Sequence, residues 1–176
     1  MQNTKRFRTN GTVNSQVSVI IEDGIVRFID EHRTTPNDLA NMLYSFQDVP
    51  LTRSVWQSKN SADDTVSVAM LINFEFGNAS LTKESKDRLS IIGKMLSLDI
   101  TADKKLVIEG HTDIAGFDAF NERLSFARAE SVKRHLTFQH GISQDRLQIT
   151  GKGEKHLIDP ENPSAAVNRR VQFKAS

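Results

Sequence analysis

The run Ile108-Glu-Gly-His-Thr-Asp-Ile-Ala-Gly116, followed by Asn121-Glu-Arg-Leu-Ser-Phe-Ala-Arg-Ala-Glu-Ser-Val132, carries the architecture of this chain. Lys104 to Glu109 is rich in β-forming residues and predicts a strand. A turn is expected around His111 to Gly116. A long helix is expected from about Asp118 to Gln139, with Gly141 as its C-terminal stop. At ~100° per residue, Phe117, Phe120, Leu124, Val132 and Leu136 fall on one side of that helix. Glu122, Arg123, Glu130, Lys133 and Arg134 fall on the other. Asn121 and Arg128 break the pattern on the apolar side, and Phe126 breaks it among the charges.

Arg128 needs an explanation, because a guanidinium desolvated without a partner costs several kcal/mol or more. Two readings stand. In one, its stem packs and its head reaches an internal carboxylate, with Asp113 and Asp118 the nearest in sequence, or reaches solvent. In the other, Asp113 and Arg128 are held apart in a pocket as an acceptor and a bidentate donor, a pair suited to a zwitterionic ligand.

Working outward, Val17–Glu22 and Ile25–Ile29 flank Asp23-Gly24, a hairpin signature. Thr35-Pro36-Asn-Asp38 starts a helix that Leu39, Met42, Leu43 and Phe46 continue to about Ser45. Leu51–Gln57 reads as a short strand and Ser58–Asp64 as a linker. Thr65–Phe76 reads as a central strand. Ser80–Ser85 opens a helix whose face is Leu89, Ile92, Met95 and Leu96. Arg146–Gly151 is a strand, residues 152–167 a loop and Val171–Phe173 a final strand. The fold class is therefore α/β (α+β): a β-α-β-α-β-β sandwich with helices on one face of a mixed sheet, plus a small N-terminal β-hairpin/helix extension. The expected units are a flexible tail (1–16), the small extension and linker (17–64) and the main domain (65–176).

The 176 residues allow about one domain by the usual size prior. Lys plus Arg number 23 against 22 Asp plus Glu, a balance that argues against a nucleic-acid binder. Without cysteine there is no disulfide framework, Cys nucleophile or Cys-type zinc site. No apolar run has the ~20 residues of a membrane span. The basic start (Lys5, Arg6, Arg8) lacks an apolar stretch after it, so no export signal is expected within the sequence as it stands. His111 has no second ligand-spaced His, and the serine-hydrolase elbow and phosphate-loop patterns are missing. Neither a catalytic residue nor a metal or other cofactor is expected. Glu75, Glu109 and Glu154 read as solvated or paired.

The quoted motif resembles the OmpA-like C-terminal domain, a peptidoglycan-binding module of the bacterial periplasm. Its hallmark is Thr-Asp, ten residues, then Leu-Ser-x-x-Arg-Ala-x-x-Val. Here Ile114 to Arg123 separate Thr112-Asp113 from Leu124-Ser125. Ile72–Thr82 looks like the family's first strand and loop. Gly141-Ile142, Arg146, Gly151–Glu154, Pro160 and Asn168-Arg169-Arg170-Val171 look like its closing motifs. The resemblance covers about residues 66–174. It implies binding of the diaminopimelate residue of the peptidoglycan stem peptide, without catalysis. Asp113 would accept from the ligand ammonium, Arg128 would clamp its carboxylate, and Asn121 would support the ligand or pocket wall. Phe76, Gly77 and Asn78 would line the groove, with Thr112 and Leu124 as weaker contributors. Asn168-Arg169-Arg170 is expected to be mainly structural. The implied home is the periplasm of a Gram-negative bacterium, on the outer-membrane side, with membrane attachment only through an anchor that this sequence does not contain. The alternative is an interaction subunit of an envelope-spanning secretion or motility assembly, with residues 17–57 binding an envelope protein partner.

Overall fold

The computed structural model describes residues 17–22, 25–30, 34–44, 67–75 and 78–176. The expected tail, the Asp23-Gly24 turn, the Leu51–Gln57 strand and the 58–64 linker lie outside the described residues.

Among the described residues, six strands form one mixed sheet in the order β2-β1-β3-β6-β4-β5. They are β1 (Val17–Glu22), β2 (Ile25–Asp30), β3 (Ser67–Met70), β4 (Leu106–Gly110), β5 (Leu147–Gly151) and β6 (Val171–Ala175). The described α-helices are α1 (Pro36–Tyr44), α2 (Lys83–Leu96) and α3 (Asp118–His140). The β4–β5 pair is parallel, joined through α3, and the other pairings are antiparallel. The N-terminal hairpin is hydrogen-bonded to β3, so it lengthens the sheet. Among the described residues, no helix is long and apolar enough to cross a membrane.

Phe173 stands at the centre of the sheet, between Val68 of β3 and Ile108 of β4. Period-2 alternation puts Leu106, Ile108, Val171 and Phe173 on one face. They pack with Leu89, Ile92, Met95 and Leu96 of α2 and Ala129, Val132 and Leu136 of α3 in one buried cluster that includes Leu39 and Leu43 of α1. The alternate residues, Glu109, Gln172 and Lys174, face the other way and are polar.

Two expectations change. Thr65–Phe76 is not one strand: regular pairing ends at Met70, with a single bridge from Phe74 to Leu81. The backbone beyond Met70 is claimed by the start of α2. Ser85 Oγ accepts from Asn73 N (2.7 Å) and donates to Asn73 O (2.9 Å), and Arg88 donates to Leu71 O (2.9 Å). Nor do Phe117 and Phe120 join the core. They are 85% and 47% exposed. The sheet-facing side of α3 is made of Ser125 and Ala129, and Ser125 lies over Gly110 and Gly151, the last residues of β4 and β5. The first turns of α3 therefore project past the sheet, where no strand lies beneath an aromatic ring.

Candidate functional site

The turn after β4 is held by backbone bonds to two other segments. His111 N donates to Arg170 O (3.0 Å) and Thr112 N to Gly153 O (2.9 Å). Gly153 takes the left-handed conformation (φ 53°) and donates its N–H to Ser125 Oγ at 2.9 Å, which ties the turn to α3. Asp113 is buried. Its Oδ1 accepts from Ala115 N (3.1 Å), an Asx-type closure of the turn. Asn121 is fully buried, and its Nδ2 donates to Asp113 O (3.3 Å) and Glu154 Oε2 (2.6 Å). It supports the wall behind Asp113.

Arg128 opens onto a cavity of about 290 Å³ lined by Leu71, Ile72, Asn73, Phe74, Arg128, Ala166 and Arg169. Its guanidinium carbon lies 4.8 Å from the centre of the Phe74 ring, a cation–π contact. Its Nε is buried with no hydrogen-bond partner among the described residues. Burial lowers the Arg128 pKa, the charge of Arg169 lowers it further, and Asp113 opposes both. Asp113 and Arg128 thus feel each other's charge without forming an ion pair. The direct partner of Asp113 is Arg169, whose Nη1 lies 2.5 Å from Asp113 Oδ2 and 3.3 Å from Ser164 O.

The site therefore holds one carboxylate and two guanidiniums: Arg169 pairs with Asp113 and lines the cavity with Arg128. Two cations around one opening favour a carboxylate, and Asp113 beside them offers a place for an ammonium. Arg169 is the residue that sequence reasoning missed as a pocket member, because Asn168-Arg169-Arg170 was read as structural. Arg170, by contrast, is buried and takes no part in the Arg128 cavity. The signal was the pair itself: consecutive residues leading into a strand point to opposite faces.

Of the remaining expected site residues, Phe76 and Gly77 lie outside the described residues. Asn78 is exposed, and its Oδ1 accepts from Ser80 N (2.6 Å). Thr112 is buried and Leu124 half-buried. Asp113, Asn78, Thr112, Asn121 and Leu124 are absent from the lining of the Arg128 cavity; Asp113 is linked to it through its ion pair with Arg169.

On the opposite face of the sheet, buried Glu109 lies 2.8 Å from Lys174 Nζ, 3.5 Å from Lys152 Nζ and 3.8 Å from His111 Nε2. Burial works to raise the Glu109 pKa, but the approach of His111 and Lys174 and the charges of Lys174 and Lys152 outweigh it, and the value falls to about 2. Burial pushes His111 down to about 4 against the attraction of Glu109. An unfolded chain protonates His111 near its ordinary value of 6.5, and the folded chain does so only near 4. Between those values the unfolded state binds more protons, so stability falls as pH drops. Glu109 acts in the next window: its contribution is full above its ordinary 4.5 and is lost as pH falls toward 2. We expect stability to decline from near neutrality down to strongly acid pH, with His111 contributing on the order of 3 kcal/mol. Urea midpoints at pH 7, 5 and 4 measure this. The His111→Gln variant should show a flatter profile above pH 4. Equal slopes for variant and parent would remove His111 as the cause.

Comparison with known proteins places the fold. The model of the OmpA family matches residues 73–170. "Outer membrane protein A" of Buchnera aphidicola subsp. Schizaphis graminum is 36% identical over 87 residues, 49% of this chain and 25% of that protein. "Peptidoglycan-associated lipoprotein" of Pseudomonas aeruginosa is 32% identical over 103 residues, 57% of this chain and 59% of that protein. The chain thus spans between a quarter and three-fifths of the length of these relatives. The fold is also that of the OmpA-like domain of FopA1 from Francisella tularensis subsp. tularensis SCHU S4, with a TM-score of 0.53 at 19% identity, covering 68% of this chain and 80% of that one.

Proposed function

Because this chain belongs to the OmpA family, we propose that it is a non-catalytic binding module that attaches an envelope protein to peptidoglycan by grasping the diaminopimelate residue of the stem peptide. The observation that carries this reading is the Asp113–Arg169 ion pair at an open cavity that Arg169 and Arg128 line together. The free end of diaminopimelate carries one ammonium and one carboxylate on the same carbon. Asp113 accepts from the ammonium, sharing or displacing Arg169. Arg128, already desolvated and short of a partner at Nε, receives the carboxylate together with Arg169. Phe74 holds the Arg128 guanidinium in place from one face. A neutral amide in that position leaves both charges unmatched, which is the basis of selectivity.

The name of the Pseudomonas aeruginosa relative, a peptidoglycan-associated lipoprotein, supports the same reading, as does its 32% identity here. The location that follows is the periplasm, next to the wall. Each charge-assisted contact is worth about 1.5–3 kcal/mol, so a single module binds modestly, and a wall polymer that presents the ligand many times supplies avidity.

The experiment is titration of the protein with two stem peptides that differ in one residue, diaminopimelate or lysine. Lysine keeps the ammonium and lacks the carboxylate. We expect about tenfold or greater weakening with the lysine peptide, the value of one lost charge-assisted contact. Equal affinity for the two peptides overturns the proposed recognition. Retention of the protein on purified sacculi, without loss of sacculus turbidity, is the companion result expected of a binder that does no chemistry.

A further inference from the structure

The polar face of the sheet carries a second cavity, of about 630 Å³, that shares no lining residue with the first. We infer that it is a binding site for an acidic sugar, a carboxylate-bearing saccharide of one or two rings. The volume lies within the usual range for small-molecule sites, roughly 300–1,000 Å³.

Three features of its walls call for three features of one ligand. The first is Arg170, which is 5% exposed. Its donors go only to neutral acceptors: Gln172 Oε1 from Nε (3.3 Å) and Nη2 (3.2 Å), Asn168 O from Nη1 (3.4 Å) and His156 O from Nη2 (3.1 Å). One Nη1 hydrogen is left over, and no ion pair to a carboxylate forms among the described residues. Glu109 attracts this guanidinium without an ion pair to it, and a buried cation that keeps a spare donor hydrogen favours an anion. The second is His111, 2% exposed, whose Nε2 lies 3.8 Å from Glu109 Oε2 and whose Nδ1 has no hydrogen-bond partner among the described residues. With Nε2–H turned to Glu109, a neutral imidazole presents Nδ1 as an acceptor, which a hydroxyl matches by donating. The third is the apolar stretch Leu157, Ile158 and Pro160 in the lining, suited to the C–H face of a pyranose ring.

The carboxylates in the wall do not forbid an anion. Glu109 is neutralised by Lys152 and Lys174, and Glu154 accepts from Asn121 at 2.6 Å. Lys155 stands exposed at the rim, 3.5 Å from Glu122. A bare inorganic anion matches only the first feature, and a neutral sugar only the second and third.

The test is amide-resolved NMR titration of the whole chain with N-acetylmuramic acid, glucuronic acid, N-acetylglucosamine and inorganic phosphate. The two acidic sugars are expected to shift the amides of Gly153, His156 and Gln172 saturably, at least about tenfold more tightly than the neutral sugar or phosphate. Lys155→Glu and His156→Ala, both at exposed positions, should weaken that binding without unfolding the protein. Arg128→Gln should leave it unchanged, which separates this cavity from the stem-peptide site. Equal titration by N-acetylglucosamine, equal titration by phosphate, or no saturable shift at these amides would each overturn the assignment.

Discussion

Gly110→Ala is expected to cost about 3 kcal/mol or more of folding stability, read as a lowered urea midpoint. A Cβ at Gly110 would lie 2.0 Å from the carbonyl oxygen of Ser125 and 2.8 Å from its carbon. Those atoms are helix backbone, so no rotamer change relieves the overlap. Either α3 lifts from the sheet or β4 moves, and both disturb Ala129, Val132 and Leu136, which are fully buried. Gly151 pairs with Gly110 across the parallel register and meets the same turn of α3, with its Cβ 2.7 Å from Phe126 N and Ser125 Oγ. Gly151→Ala should therefore behave similarly. Gly93, inside α2, provides the contrast. Its Cβ would meet the His140 ring at 2.2 Å, so the half-buried His140 side chain must change rotamer while the backbone stays in place. Alanine also gains up to about 1 kcal/mol of helix propensity over glycine. Gly93→Ala should therefore cost clearly less than Gly110→Ala. If Gly110→Ala and Gly93→Ala have the same midpoint, the close approach of α3 is not what seats this helix.

Asp113→Ala and Arg128→Ala are each expected to weaken binding to sacculi and to the diaminopimelate peptide by about 10- to 100-fold. The two should differ in stability, and that difference identifies a binding pair. Removing Asp113 leaves Arg169 without its carboxylate and close to Arg128, whose charge it already opposes. That variant should lose stability along with affinity. Removing Arg128 deletes a desolvated guanidinium with an unpartnered Nε, and the lost stacking on Phe74 is a small return term. Its stability should be nearly unchanged while its affinity collapses, as expected of a group retained for ligand recognition. Wild-type affinity in both variants would remove the proposed site. A large stability loss for Arg128→Ala would instead make the arginine a structural element.

The alternation around Phe173, the turn after β4 and the length of α3 were legible from local pattern. So was the hairpin, although its attachment to β3 needed the fold, since any exposed edge of matching length can accept a strand. The spacing of Thr112-Asp113 and Arg128 pointed to a paired site. It did not show the membership of Arg169, which is 56 residues beyond Asp113 in sequence. The helical wheel misplaced Phe117 and Phe120 because it assumes a core beneath every turn. Here the sheet ends under Ser125.

By itself, the sequence determined the family, the order of strands and helices, and the identity of a carboxylate and a guanidinium set on one turn and the helix after it. These follow from periodicity, caps and motif spacing, all written within short stretches of chain. Only the tertiary structure decided that Arg169 pairs with Asp113 and lines the Arg128 cavity, that Arg170 and His111 line a separate cavity, and that paired glycines draw α3 onto the sheet. Those outcomes depend on which distant segments meet, and close packing settles that by excluding volume at contacts which no local pattern records.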